Sequence, residues 1–494
     1  GVQVQVTPDD TILTAANLAG IEIPTLCYLK GLNPEGSCRM CLVEVEGNAK
    51  GLVTACTQPC TDGMVVHTKS EKVIEARRFV LDLLLSNHEG NCFSCAKNGG
   101  CKLQDYCFEY GVEKTSFETP VQPDRPEPDY SNKFLAYDPK KCILCRRCQR
   151  TCAKIQGKGI LSVSNRGFNA AITTSFEMPW ENTDCEHCGN CAAACPTGAL
   201  VTKDNLSNYR PYNIKKVRTT CPHCATGCQM DLIVRDNKIV GCEPADGESN
   251  HNTLCVKGRF GSFKFVHSGD RITDPLIKDK ETGKFRKASW DEALDLVASK
   301  FMQIKKEYGP DSLAGFACSR SPNEDIYMVQ KMVRTCFGTN NTDNCARVCH
   351  SASVSGLAMT LGSGAMTNPI YDITHDVDAI LLVGSNPEEA HPVVGAQIRQ
   401  AVQNGTKLIV VDPRDIGLAK SAAVHLKLRP GTNVAFANGM MNVFINEGLI
   451  DEEFIKTRTE GFEELKKIVM EYTPERVAHI CRIDPEDLKK AARI

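Results

Sequence analysis

Cys142-Ile143-Leu144-Cys145-Arg146-Arg147-Cys148-Gln149-Arg150-Thr151-Cys152, then Cys185-Glu186-His187-Cys188-Gly189-Asn190-Cys191-Ala192-Ala193-Ala194-Cys195-Pro196: these two runs decide how the chain is organised. Each reads C-x2-C-x2-C-x3-C. At that spacing three thiolates wrap one [4Fe–4S] cube and the fourth reaches across to a second. One cluster is therefore expected on Cys142, Cys145, Cys148 and Cys195. The other is expected on Cys185, Cys188, Cys191 and Cys152. Zinc knuckles or disulfides are the alternative. Zinc sites pair two C-x2-C or C-x2-H halves and do not repeat a triplet plus one with a trailing proline. The pattern reads as that of an electron carrier.

The chain has 494 residues, enough for several domains, with formal net charge −2 and pI near 6.6. Nothing in that balance points to nucleic acid or an anionic membrane. Its 27 cysteines sit in metal-type groups rather than in a small secreted framework. No stretch reads as a signal peptide, and no apolar run is long enough to span a bilayer. Iron–sulfur thiolates need a reducing compartment, so a cytoplasmic location is expected. Gly1 to Val6 begins inside a strand-like alternation, so residues upstream are expected to be missing.

Three further cysteine groups flank the double run. Cys27, Cys38, Cys41 and Cys56 have spacings x10, x2 and x14, with the middle pair in Gly36-Ser37-Cys38-Arg39-Met40-Cys41. A glycine-containing loop can aim amides at sulfur, so a variant [2Fe–2S] site is expected, with Cys60 as the spare. His88, Cys92, Cys95 and Cys101 read H-x3-C-x2-C-x5-C. Alone this could be a zinc site of three cysteines and one histidine. Between two iron–sulfur units it reads better as a cube with one histidine ligand, whose neutrality raises the potential. Cys107 is read as structural. Cys221, Cys224, Cys228 and Cys255 suit one closed cube, followed by Lys257-Gly258-Arg259. The Lys257 cation would favour the reduced cluster or a neighbouring anionic cofactor. Finally, Cys349 lies beside His350. On spacing alone a small buried residue is the better reading, and an ionised nucleophile or soft metal ligand is the other.

The grammar changes along the chain. Residues 1–69 mix short strands (2–6, 42–45, 64–66) with a helix at 11–18 and read as a [2Fe–2S] ferredoxin-like β-grasp. An amphipathic helix at 70–86 opens the segment of the histidine-ligated cluster, 70–118. Residues 119–133 read as a linker, and 134–210 as a double [4Fe–4S] ferredoxin unit duplicated at about 43 residues. Residues 215–266 hold the fourth group with a strand near 231–239. From 267 to 494 apolar runs such as 377–383 and 407–411 alternate with helical stretches at 291–307, 322–337 and 392–404. That is a doubly wound α/β pattern, with ligands expected at the carboxyl ends of its strands. The class is multidomain, α+β then α/β.

With these residues in hand a resemblance emerges. Residues 1–265 resemble the N-terminal half of the large iron–sulfur subunit of complex I. The segment from Cys221 to Arg259, ending Cys255-Val256-Lys257-Gly258-Arg259, is similar to the start of the molybdopterin oxidoreductase family. Ser319-Arg320, Gly338-Thr339-Asn340-Asn341 and above all Cys345-Ala346-Arg347-Val348-Cys349-His350 resemble formate dehydrogenase catalytic subunits. In that family the residue matching Cys349, cysteine or selenocysteine, ligates molybdenum or tungsten, and the neighbouring histidine, here His350, handles the proton. The resemblance implies that Gly384-Ser385-Asn386-Pro387 and Asp412-Pro413-Arg414 hold the guanine dinucleotide tail of a bis-molybdopterin cofactor. Asp412 would accept from guanine or ribose and Arg414 would pair with phosphate. Arg429-Pro430-Gly431-Thr432-Asn433 would be a third such turn. The family's second active-site arginine has no counterpart here, and the segment to Ile494 is expected to be an incomplete domain.

The resemblance implies formate as substrate and CO2 as product, with one [2Fe–2S] and four [4Fe–4S] clusters carrying electrons outward. It implies a partner at the far end. An NAD(P)-reducing flavoprotein with its iron–sulfur subunits is favoured, and a hydrogenase or a ferredoxin is the alternative. Competing readings are a complex I-type electron-wiring subunit, an iron-only hydrogenase, and another molybdopterin enzyme such as an assimilatory nitrate reductase. The Cys349-His350 pair favours formate.

Overall fold

In a computed structural model of the protein, which describes residues 1–48, 51–118, 125–373 and 375–494, Thr11 opens helix α1 (Ile12–Leu18) by accepting the Thr14 amide at 3.3 Å. Ile12, Leu13 and Ala16 pack on a three-stranded antiparallel sheet, order β2-β1-β3, of β1 (Leu42–Val45), β2 (Leu52–Thr54) and β3 (Val66–His67). Cys41, Cys56 and the spare Cys60 join that core. The alternation at 2–6 does not become a strand among the described residues. Val2 is exposed, and no described segment pairs with it. A lone run without a partner leaves its amides to water.

Ser70 caps α2 (Glu71–Leu85), which buries Val73, Arg77 and Leu81 at helical spacing. α3 (Lys102–Tyr110) stops at Gly111, whose φ of 68° closes the helix in the left-handed region. Both helices share one apolar cluster with Leu26, Met40 and the cysteines Cys27, Cys38, Cys101 and Cys145. Of the expected linker, 119–124 lies outside the described residues. From Arg125 onward the chain is packed: Arg125 and Asn132 are buried, and Asp129 bridges to Tyr137.

The duplicated unit is closed by its first and last strands, β4 (Leu135–Tyr137) against β7 (Leu200–Thr202). Between them run α4 (Arg147–Arg150), the hairpin of β5 (Leu161–Ser164) and β6 (Ala171–Thr174), and α5 (Asn190–Ala194). α6 (Lys203–Asn208) leads on to an antiparallel sheet of β8 (Lys215–Thr220), β9 (Gln229–Arg235) and β10 (Lys238–Pro244), order β10-β9-β8. The single strand expected near 231–239 is thus a hairpin. Asp236 and Asn237, at φ 49° and 57°, make the tight turn that side chains of their kind tolerate.

The chain divides into two units. One takes Gly1–Cys221, Thr226–Gly261 and Ile370–Ile494; the other takes Pro222–Ala225 and Ser262–Pro369. The second unit holds a hairpin of β11 (Leu276–Lys278) and β12 (Phe285–Lys287), then α7 (Trp290–Tyr308) capped by Ser289. A parallel pair follows, β13 (Gly315–Ala317) with β14 (Thr342–Asn344), linked through α8 (Asn323–Met332). α9 (Ala346–Cys349) and α10 (Ser351–Leu361) continue directly from β14. In the first unit, β15 (Ala379–Val383), β16 (Lys407–Val411) and β17 (Val424–Leu426) form a parallel sheet in that order. α11 (Pro387–Ala390) and α12 (Pro392–Gln403) make its crossover. β16 is the central strand because Leu408, Ile409, Val410 and Val411 are all buried, each contributing about 1.5–3 kcal/mol of apolar transfer. The parallel strands expected over 267–494 are therefore shared between two sheets, one in each unit. No described helix is long and apolar enough to cross a membrane.

Candidate iron–sulfur and cofactor site

Cys27, Cys38, Cys41 and Cys56 are all buried. Cys41 Sγ lies 3.3 Å from Cys56 Sγ. A hydrogen bond from Cys38 holds Cys27 down to about 5, and the same bond pushes Cys38 up. Cys41 and Cys56 split in the same way. Cys27 also acts on Cys41 and Cys56, so the four thiols share one place. Arg150 Nη1 donates to the Cys27 carbonyl at 3.2 Å, and Arg77 Nη2 to that of Leu42 at 2.8 Å.

His88 follows α2 in a half-buried turn. Burial, then the charges of Arg125 and Lys141, lower its imidazole to about 4, so it is neutral. Its Nδ1 is buried without a hydrogen-bond partner among the described residues. A neutral imidazole with an unspent nitrogen is the form that ligates metal. Cys101 is pushed up to about 11 by burial, with Cys95 and Cys195 acting on it. Cys95 also acts on Cys92. Cys107, read as structural, stands within reach of Cys101 and Cys92. Replacing His88 with Cys is expected to lower one cluster's reduction potential, because a fourth thiolate adds negative charge. An EPR-monitored redox titration in which no signal moves removes His88 from the ligand set.

In the duplicated unit the cysteines gather across the two runs. Cys142 and Cys145 are pushed up by burial to about 11 and 12, each with Cys195 acting on it. Cys148, which is buried, is raised by burial and then by Cys142, Cys195 and Cys145. Likewise Cys188 is pushed up to about 12, with Cys152 and Cys185 acting on it, and Cys191 feels Cys188, Cys152 and Cys185. Amides turn toward the sulfurs: Leu144 N to Cys142 at 3.4 Å, Ile160 N to Cys152 at 3.3 Å, His187 N to Cys185 at 3.4 Å. These loops hold residues with positive φ, Leu144, Arg146 and His187, which lets successive amides point one way.

Cys221, Cys228 and Cys255 lie in the first unit, and Cys224 falls in the stretch that groups with the second. A Cβ added at Gly258 would sit 3.4 Å from Cys221 Sγ and 3.9 Å from Cys255 Sγ. Gly258 N donates to Cys255 Sγ at 3.5 Å. Lys257 Nζ donates to the Glu389 carbonyl at 3.3 Å, beside the loop after β15. In that loop Asn386 Oδ1 is buried without a partner among the described residues. After β16, Asp412 is buried and accepts from Arg414 N at 2.8 Å and Arg414 Nε at 3.4 Å. Arg414 therefore spends part of its guanidinium on Asp412.

In the second unit Cys349 ends α9 and His350 sits between it and α10; both are exposed. The small-buried-residue reading of Cys349 is therefore set aside. Arg320 is also exposed, in the turn after β13. Sequence reasoning quoted Cys345 within the decisive run but gave it no role. It receives Ser319 N at 3.5 Å and lies 3.1 Å from Ser319 Oγ, and these contacts lower its thiol. The signal was there in Ser319 and Cys345, each following a short β-run that ends one parallel strand.

Buried thiols that raise one another cannot all ionise unless cations join them. Iron supplies those cations, and the amide-lined loops supply the hydrogen bonds that cluster sulfurs take. The donor sets thus fit iron–sulfur clusters. Among the described residues no three His, Cys, Asp or Glu side chains gather about a single ion position; a cluster takes each sulfur on a separate iron. Asn386 and Asp412 fit a polar nucleotide-like tail.

Known protein families match successive stretches of the chain. Residues 1–71 match the 2Fe-2S iron-sulfur cluster binding domain, and 77–116 the NADH-ubiquinone oxidoreductase-G iron-sulfur binding region. Residues 133–201 match the ferredoxin-like domain of NADH-quinone oxidoreductase subunit 3. Residues 214–267 match the molybdopterin oxidoreductase Fe4S4 domain, and 271–478 molybdopterin oxidoreductase itself. The NADPH-Fe(3+) oxidoreductase subunit alpha of Geobacter sulfurreducens is 36% identical over 496 aligned residues, 100% of this chain and 57% of that one. The F420-dependent formate dehydrogenase 2 subunit alpha of Methanococcus maripaludis is 48% identical over 281 residues, 57% of this chain and 40% of that one. A crystal structure of an NAD+-reducing [NiFe]-hydrogenase shares 33% identity over 40% of this chain and 83% of its own, at TM-score 0.38. The chain spans about half the length of the curated relatives it matches. It carries the molybdopterin oxidoreductase domain and its Fe4S4 domain behind 2Fe–2S and NADH-G-type iron–sulfur domains.

Proposed function

We propose that the chain is the catalytic subunit of a formate dehydrogenase, converting HCOO− to CO2, a proton and two electrons, or running the reverse. The observation that carries this is the exposed Cys349-His350 pair at the junction of α9 and α10, in a run that resembles formate dehydrogenases. A relative named as a formate dehydrogenase subunit, 48% identical over 281 residues, supports it. Cys349 would hold molybdenum or tungsten, Asn386, Asp412 and Arg414 would hold a guanine dinucleotide tail of the pterin cofactor, and Arg320 would bind that cofactor as well. When bound, that centre accepts the electron pair of formate oxidation. His350 takes the proton at its imidazole, where solvent can carry it away. Lys257 sets a positive charge beside the Cys255 turn, and clusters held by the cysteine sites would supply the route by which electrons leave. The complex I-like front modules favour a flavoprotein partner that reduces NAD(P), in the cytosol.

The ligand sets hold one [2Fe–2S] and four [4Fe–4S] clusters, eighteen irons in all. Iron analysis with EPR of the reduced protein checks this, and stoichiometric zinc with one signal fewer reassigns the His88 site. Formate-dependent viologen reduction by the full-length, metal-loaded protein tests the activity. A second reading rests on a relative that matches the whole chain, a subunit named for NADPH and Fe(3+). Under it the chain carries electrons without oxidising formate, and the viologen assay stays flat with all eighteen irons present.

A further inference from the structure

A charge buried without an opposite charge requires a counter-ion. Arg259 is 2% exposed. Its Nε donates to the Cys188 carbonyl at 2.7 Å and its Nη2 to Asn190 Oδ1 at 2.9 Å, both neutral acceptors. Its own amide donates to the Cys255 carbonyl at 3.0 Å. The residue thus spans from one candidate cluster site to the next. Room for it is built in. A Cβ at Gly189 would lie 2.5 Å from Arg259 Cδ and 2.7 Å from Nε.

The same arrangement recurs. Arg125, 8% exposed, donates through Nη1 to the Cys142 carbonyl at 3.1 Å, and its Nε and Nη2 are buried with no partner among the described residues. Its charge also reaches His88. Arg150, on the helix that carries Cys148, donates to the Cys27 carbonyl; it has a partial partner in Glu35 at 3.6 Å. Among the described residues neither Arg259 nor Arg125 has a carboxylate at ion-pair distance.

We propose that Arg259, Arg125 and Arg150 are the fixed counter-cations of the iron–sulfur clusters, one at each junction between neighbouring sites. This rests on the cluster assignment above. A thiolate-ligated cluster is an anion and gains a further negative charge on reduction. A guanidinium held beside it in a low-dielectric interior stabilises the reduced form and raises the potential. Arginine suits the task because it stays charged when buried and its fork can hold two acceptors at once.

The test is an EPR-monitored redox titration of the holoprotein carrying Arg259→Lys, Arg259→Gln or Arg259→Met, with iron content measured on each. Gln and Met are expected to shift the reduction equilibrium of at least one [4Fe–4S] signal about tenfold toward oxidised, a fall of about 59 mV for one electron. Lys, which keeps the charge, is expected to stay near the parent. Unmoved potentials at full iron content overturn the proposal, as do equal shifts in Lys and Gln, which would mark a hydrogen-bonding role only. Should Met lose iron, Gln against Lys still separates charge from hydrogen bonding. Should the parent itself lack the clusters, it is the cluster assignment that fails, and the iron content of the unmutated protein shows this directly.

Discussion

Cys349→Ala is expected to abolish formate-dependent viologen reduction while all eighteen irons stay bound. Cys349 is exposed at the end of a short helix. Its loss should change stability by no more than about 0.5 kcal/mol. A thiolate is the soft donor that a high-valent metal selects, and no cluster ligand is touched. Cys349→Ser should be nearly as damaging, lowering the rate at least about a thousandfold, roughly 4 kcal/mol of barrier. His350→Ala should slow turnover strongly yet retain the metal, since its part is the proton. Activity, metal and iron are to be measured together on the full-length protein. If Cys349→Ala oxidises formate at a near-normal rate, the dehydrogenase assignment falls and the electron-wiring reading takes its place.

The second large effect is expected at Gly198, a residue with no chemistry of its own. A Cβ there would collide with Cys95 Sγ. An unligated thiol would swing to another rotamer at little cost. A thiol held by iron has no such freedom, so Gly198→Ala should evict Cys95 from the His88 site. The outcome expected is a folded protein missing one [4Fe–4S] signal and four of its irons, with the remaining signals unchanged. A variant that keeps every signal would show that Cys95 is not a ligand. Far-ultraviolet circular dichroism on the same samples separates cluster loss from unfolding.

The cysteine spacing was legible because thiolate geometry is local. The turns around Cys142 and Cys185 bend within a few residues, and the pairing of β4 with β7 then carries Cys195 to the first triplet. Helices with an amphipathic stripe and a capping serine, at Ser70 and Ser289, were legible for the same reason. What the sequence hid is what depends on distant partners. Val2–Val6 has the alternation of a strand but no described neighbour to pair with. Asp231–Ile239 looked like one strand because the hairpin turn at Asp236-Asn237 carries no glycine. Arg125 looked like part of a charged, proline-rich connector, and nothing nearby announces that its side chain is buried against Cys142. The parallel strands after 267 were visible, but their division between two sheets was not, since apolar runs do not say which neighbour they join.

The exchange of cysteines between the two halves of the duplicated unit bears on how the protein is made. Cys195 stands with the first triplet and Cys152 with the second. When the ribosome has released Cys152, the first site still lacks a sulfur that will emerge about 43 residues later. If the clusters are ligated as proposed, neither half can be loaded as a stand-alone module. Cluster insertion must wait until both triplets are out and β7 has closed on β4. Maturation of this unit is then a single event. A nascent chain stalled between the two runs would be empty rather than half filled.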